Sequence, residues 1–129
     1  MNREEETTAA MIDFDSPDAL AWLEAASTQQ LDTLPFGVIQ MAPGGLVTAY
    51  SALESKLAGL SKERVLHRSF FAAVAPCMNN YLVSERFHAE PELDVVLDYI
   101  LTLRMAPTPV KLRLLKSSTV QHMYLLVKR

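Results

Sequence analysis

The chain has 129 residues, 50% of them hydrophobic, with one Cys and a net charge of −3; that is one globular domain able to bury roughly two-thirds of its unfolded surface. A single Cys excludes a disulfide framework, and no apolar run approaches the ~18 residues of a bilayer span. The acidic start MNREEETTAA lacks the basic, then apolar, plan of a secretory signal, so the expectation is a soluble, cytoplasmic protein with no membrane partner.

Charge is unevenly spread. Residues 1–18 set Arg3 against Glu4, Glu5, Glu6, Asp13, Asp15 and Asp18, whereas after Asp98 no acid accompanies Arg104, Lys111, Arg113, Lys116, Lys128 and Arg129. A basic stripe can mark a nucleic-acid surface. Here the cations alternate with Leu and Val on strand-like segments, which reads instead as a solvated sheet face attracting the acidic N-terminal segment. No nucleic-acid partner is expected.

In chain order, residues 1–12 read as a mobile lead-in without apolar periodicity. Ser16-Pro17-Asp18 predicts a helix start, with Ala19, Leu20, Trp22, Leu23 and Ala26 as its apolar face. Ser27 and Gln30 stand at capping-box spacing and open a second short helix that stops before Pro35. These two helices predict an N-terminal cap over residues 1–33, ahead of a core at 34–129. Phe36–Gln40 and Leu46–Ala49 predict strands joined by Ala42-Pro43-Gly44-Gly45, whose glycines are free to take positive φ. Between Ser51 and Pro76 come short helical pieces, one starting at Ser61 and one with Phe70, Phe71 and Val74 on its apolar face. Asn79–Glu90 predicts a further helix, with Tyr81, Leu82, Glu85 and His88 at helical spacing. From Leu93 to Met105 every odd position is apolar, the pattern of a half-buried strand. Val110–Lys116 and Val120–Lys128 predict two more strands joined as a hairpin. Two strands, a helical middle and three strands make an α+β domain with an antiparallel sheet.

Chemistry-bearing residues are few. Cys77 reads either as a small buried hydrophobe or as a nucleophile, and no base can be placed beside it from spacing. His, Cys and carboxylates show no metal-ligand spacing, and there is no phosphate-binding glycine loop or nucleophile elbow. Tyr50 and Glu54, four residues apart where a strand runs into a helical turn, read either as a partly exposed phenol with a solvated acid or as two groups aimed at one cavity. In the second case the apolar neighbours Ala49, Ala52, Leu53, Leu57 and Ala58 would raise the Glu54 pKa, and phenol and carboxyl would offer two donors to one buried oxyanion.

Several segments together resemble the photoactive yellow protein family. Phe70-Phe71-Ala72-Ala73-Val74-Ala75-Pro76-Cys77 is similar to the family's segment ending in the chromophore-bearing cysteine. Tyr50 and Glu54 match its chromophore-binding tyrosine and glutamate, at the same mutual spacing and distance from the cysteine. Leu34–Gln40 resembles its first strand, Met105–Lys111 its loop over the chromophore, and Val127-Lys128-Arg129 its ending. The similarity spans Gln30 to Arg129, with a looser helical match before it.

This resemblance implies a PAS fold, a five-stranded antiparallel sheet flanked by short helices with an N-terminal helical cap. It implies p-coumaric (4-hydroxycinnamic) acid bound to Cys77 as a thioester, with its phenolate held by Tyr50 and a protonated Glu54. Phe70, Val74, Ala75, Tyr99, Leu101 and Met105 would line the pocket. Blue light would drive trans–cis isomerisation, and Glu54 would then give its proton to the phenolate. The buried carboxylate left without counter-charge would loosen the N-terminal cap, and that is the signal. The chain departs from the family where a threonine and an arginine usually follow the glutamate by four and six residues; here stand Ala58 and Leu60. The loop after Cys77 is about three residues shorter, and Leu97 and Leu101 replace aromatics.

The leading expectation is therefore a non-enzymatic blue-light photoreceptor, monomeric or weakly dimeric, that signals to a separate downstream protein of unknown identity. The alternative is a non-photochemical PAS module that senses a ligand or binds a protein through a more apolar pocket. An acyl-transferring enzyme lacks an identifiable base.

Overall fold

The computed structural model describes residues 12–102 and 106–129. The expected lead-in lies outside these residues except for Ile12, which is buried; the expectations for Arg104 and Met105 also fall outside them.

The chain order is α1 (Ala19–Ala25), α2 (Thr28–Leu31), β1 (Gly37–Met41), β2 (Val47–Tyr50), α3 (Ala52–Ala58), α4 (Lys62–Val65), a π-helical turn (Phe70–Val74), a 3-10 turn (Pro76–Met78), α5 (Ser84–Ala89), β3 (Leu93–Leu101), β4 (Thr108–Lys116) and β5 (Met123–Lys128). The strands form one antiparallel sheet in the order β2-β1-β5-β4-β3. Its first and last strands in sequence meet in the centre, so the two ends of the core sit side by side. The fold is α+β, with a five-stranded sheet and several short helices.

Alternation in the strands sends side chains to two cores, one on each sheet face. The inner face carries Ile39, Tyr50, Leu101, Leu112, Leu114, Leu125 and Val127, packed with Val65, Phe70, Ala75 and Phe87 from the helical middle. The outer face carries Val38, Leu115, Tyr124 and Leu126, covered by Phe14, Ala19, Leu23, Leu31 and Leu34 of the N-terminal segment. Each fully buried Leu or Phe here contributes about 1.5–3 kcal/mol. Polar contacts pin the same cover. Arg113 is only 4% exposed. Its Nη1 donates to the Phe14 and Ser16 carbonyls at 2.8 Å each, while Nε and Nη2 clasp Asp94. Glu24 of α1 accepts from Tyr124 at 2.7 Å and meets the His122 Nδ1 at 3.1 Å.

Local signals explain most element boundaries. Ser27 and Gln30 form the capping box of α2. Gly44 and Gly45 take φ of 97° and 94° in the β1–β2 turn, where a Cβ would be strained. β3 exposes Asp94, Val96, Asp98 and Ile100 and turns its odd positions inward, as the period of two predicts.

Four expectations are corrected. Helix α1 starts at Ala19 rather than at Ser16, because Ser16 is spent elsewhere: its Oγ accepts from the Asp13 amide and its carbonyl from Arg113. The helix expected over Asn79–Glu90 shrinks to α5. Asn80 Oδ1 accepts from the Leu82 and Val83 amides and holds a turn there, leaving Val83 and Phe87 as the buried residues and Tyr81, Leu82, Glu85 and His88 exposed. β5 starts at Met123, after a turn over 117–120. The basic sheet face is not uniformly solvated, since Arg113 is buried and Lys116 donates to the Phe87 carbonyl.

Candidate functional site

Tyr50 ends β2 on the inner face, and Ser51 caps α3 by accepting from the Glu54 amide at 3.3 Å. The same Ser51 Oγ accepts from the Val38 amide at 3.0 Å, tying the cap to β1. This fixes Glu54 in the first turn of α3, directly against the sheet. Tyr50 and Glu54 are 4% and 3% exposed, which excludes the reading of a part-exposed phenol with a solvated acid.

What buries Glu54 is not the set of neighbours the sequence suggests. Ala52 and Leu57 are exposed, and Ala49 faces the outer core. The carboxyl lies instead over Gly37 of β1, where a Cβ would stand 2.0 Å from its Oε1. There it meets Arg129, which follows β5: Nη1 donates to Oε1 at 2.7 Å and Nη2 to Oε2 at 3.2 Å. The only side chain hydrogen-bonded to this carboxyl among the described residues is therefore a cation. Burial pushes the Glu54 pKa up, and the Arg129 hydrogen bond and charge pull part of that rise back. The expected upward direction holds, while the expected absence of a counter-charge does not describe this arrangement.

Tyr50 shares the electrostatics of this pair without a hydrogen bond to Glu54. Burial and the Glu54 charge push its hydroxyl far above the ordinary phenol range, and the Arg129 charge opposes them. The phenol is consequently a neutral donor at physiological pH. A cavity of about 190 Å³ reaches Tyr50 between α2, β2 and Leu66.

Cys77 sits half-buried in the 3-10 turn, carries a free thiol and packs against the inner core. Its carbonyl accepts from the Tyr99 hydroxyl at 2.7 Å and from Asn80 Nδ2 at 3.1 Å, and Asn80 also donates to the Tyr99 oxygen at 2.7 Å. Phe70, Ala75, Leu101 and Tyr50 belong to the inner cluster, with Val74, Cys77 and Tyr99 packed against it. Met105 lies outside the described residues. Ala58 is buried and Leu60 packs against the inner core, so neither departure brings a polar group here. The sequence reading missed two members of this constellation, Asn80 and Arg129. Asn80 carried no signal beyond its nearness to Cys77; Arg129 could be placed inward by extending the β5 alternation past Val127.

A roomier cleft of about 740 Å³ opens at the opposite end of the sheet, floored by Phe71 and Phe87 and edged by Lys116 and His122. None of the anticipated site residues lines it. No group of three or more His, Cys, Asp or Glu placed to hold a metal occurs among the described residues, and no described helix is long and apolar enough to cross a membrane.

No protein-family profile matches the chain. Individual relatives do. The chain is 32% identical over 122 residues to a photoactive yellow protein of Rhodothalassium salexigens, covering 92% of this chain and 98% of that one. It is 30% identical over 112 residues to that of Rhodobacter capsulatus, covering 81% and 87%. Among solved structures it is similar to the photoactive yellow protein domain of the sensor histidine kinase Ppr from Rhodospirillum centenum, with a TM-score of 0.77 and 32% identity over 84% of this chain and 98% of that one. The PAS domain of an HTR-like protein from Haloarcula marismortui, at a TM-score of 0.60 and 14% identity over 88% and 98%, shares the fold. With identity at this level across nearly the whole length of its relatives and the same fold, the chain belongs to the photoactive yellow protein family of PAS domains.

Proposed function

We propose that this chain is a blue-light receptor that carries p-coumaric acid as a thioester on Cys77. What supports the reading is that the half-buried free thiol packs against the inner cluster to which the buried Tyr50 belongs, with the buried Glu54 carboxyl over Gly37 of the same sheet. These residues fit such a group. The thiol supplies the bond, Tyr50 is a neutral donor, and burial moves the Glu54 pKa upward, toward holding the proton, against the pull of Arg129. Both can donate to a phenolate oxygen, which needs hydrogen bonds once removed from water. Phe70, Val74, Ala75, Tyr99 and Leu101 supply the apolar wall, and the Tyr99–Asn80 clasp on the Cys77 carbonyl holds the turn that bears the thiol.

When bound, the p-coumaroyl group supplies light-driven trans–cis isomerisation. The chain then responds through Glu54, which gives up its proton and becomes a buried carboxylate. A change of charge at the start of α3 is felt by β1 through Ser51 and the Val38 amide, and β1 carries the outer core on its other face. The N-terminal cover is thus the element whose release forms the signal, read by a separate cytoplasmic protein, with the receptor itself monomeric or weakly dimeric and not an enzyme. Ala58 and Leu60 favour a second reading, a colourless PAS module whose apolar pocket takes a different ligand.

Purified protein mixed with p-coumaric anhydride decides between them. The first reading expects a mass gain of one p-coumaroyl group, lost in Cys77→Ser, and a visible band that bleaches reversibly in blue light. Glu54→Gln should shift that band to longer wavelength, because a weaker donor leaves the phenolate less stabilised. A colourless product without mass gain overturns it.

A further inference from the structure

A buried anion held by neutral donors is stabilised further by a positive charge close by. Position 60, two residues past α3, is Leu and supplies none. The structure holds a cation elsewhere, on the last residue of the chain. Arg129 reaches Glu54 with both Nη atoms at 2.7 and 3.2 Å, and its side chain is 19% exposed against 3% for Glu54. The approach depends on Gly37: any side chain there would occupy the place of the Glu54 carboxyl.

We propose that Arg129 is the fixed positive charge of this site, a positioning residue that holds Glu54 over Gly37 and balances whichever anion the site carries. That anion is either the Glu54 carboxylate or a phenolate taken up beside Tyr50; the second half of the statement rests on the function proposed above.

Charge arithmetic supports it. A guanidinium with an ionised Glu54 is neutral, and so is a guanidinium with a protonated Glu54 and a buried phenolate. Both states avoid an uncompensated ion, whose burial costs several kcal/mol. The same cation already acts on Tyr50, opposing the burial and the Glu54 charge that disfavour a phenolate there. Passing the proton from Glu54 to the phenolate therefore moves negative charge toward Arg129. Among the described residues, Arg129 beyond β5 is the charged group acting on Glu54, and Arg129 and Glu54 are those acting on Tyr50.

The test has two arms on the full-length chain with Arg129→Gln, Arg129→Met and the charge-keeping Arg129→Lys. In the unloaded protein, the Glu54 carboxyl carbon is followed by 13C NMR against pH. Loss of the cation should raise its midpoint by about one unit or more, and Arg129→Lys should restore most of that. In protein loaded with p-coumaric anhydride, the pH at which the visible band disappears on acidification should rise by a similar amount in the Gln and Met variants and return with Lys. A purely structural role would lower stability and leave both midpoints in place; unchanged midpoints overturn the proposal. If Cys77 gains no mass, the photoreceptor reading fails, and the unloaded titration still decides whether Arg129 governs Glu54.

Discussion

Replacing Gly37 by Ala probes the packing of the site without touching a charged group. Gly37 takes no positive φ, so Ala is conformationally acceptable in β1 and the unfolded chain loses entropy, a gain of roughly 0.4–1 kcal/mol. Against this, the new Cβ would stand 2.0 Å from Glu54 Oε1, 3.0 Å from Cδ and 3.1 Å from Cβ. The carboxyl end can swing aside at the expense of its Arg129 contacts, but the Glu54 Cβ is fixed to α3 and can only move with the helix. Overpacking of this kind costs about 1–3 kcal/mol, and a buried carboxyl displaced from its cation adds to it. Urea unfolding should show Gly37→Ala less stable by about 1–2 kcal/mol net. The decisive comparison is a double-mutant cycle. In a Glu54→Ala background the clashes with Oε1 and Cδ are gone and only the 3.1 Å approach to the remaining Cβ stays, so Gly37→Ala should lose most of its penalty, a coupling on the order of 1–3 kcal/mol. A penalty that is absent in the first place, or that persists unchanged once Glu54 is removed, refutes the placement of the carboxyl over Gly37.

Three further outcomes are expected. Arg113→Ala removes two donors to the Phe14 and Ser16 carbonyls and the clasp on Asp94; at about 1.5–3 kcal/mol for a charge-assisted bond, limited proteolysis should cut the N-terminal cover well before the sheet unfolds, and an unaltered cleavage pattern would count against this anchor. Burial raises the Glu24 pKa, but hydrogen bonds from Tyr124 and His122 with the His122 charge bring it below the ordinary value of 4.5. Its carboxylate therefore contributes stability that is present above that value and lost as pH falls through the lowered one, and urea midpoints measured below pH 4.5 should fall less steeply in Glu24→Gln. Tyr99→Phe removes one donor to the Cys77 carbonyl, a loss of about 1 kcal/mol, so the thiol should react roughly five-fold faster with an aromatic disulfide reagent; an unchanged rate means that the clasp does not hold the turn.

Fold-level structure was legible wherever a local signal decided it. The capping box at Ser27 and Gln30, the two glycines of the β1–β2 turn and the alternation along β3 each depend on a few neighbouring residues; the first two appear as read, and the alternation holds over Leu93–Leu101, where the strand ends short of the expected Met105. The misreadings have the opposite character. Tyr81, Leu82, Glu85 and His88 fall on one face of an ideal helix, but Asn80 turns the chain first, and a single side-chain acceptor outweighs a periodic pattern of marginal hydrophobicity. Arg113 looked like a solvated cation because alternation puts it on the outer face. Only the fold reveals that this face is covered by backbone carbonyls 97 and 99 residues away.

The site divides in the same way. Tyr50, Glu54 and Cys77 could be singled out because their spacing along the chain matches a known pattern, and spacing is what a sequence states directly. Their energetic setting could not, because it depends on a residue 75 positions further on. A Glu in an apolar stretch suggests an acid without a counter-charge, and from that premise ionisation should be disruptive enough to drive a conformational change by itself. With Arg129 bidentate on the carboxyl the premise changes: forming the anion is partly compensated, and the force left to act on the N-terminal cover is smaller. Under the proposed function, signal strength would then depend on how far Arg129 follows Glu54, which the register setting Gly37 opposite Val127 constrains. Substitutions at the end of β5 should therefore tune the response as strongly as substitutions beside Cys77.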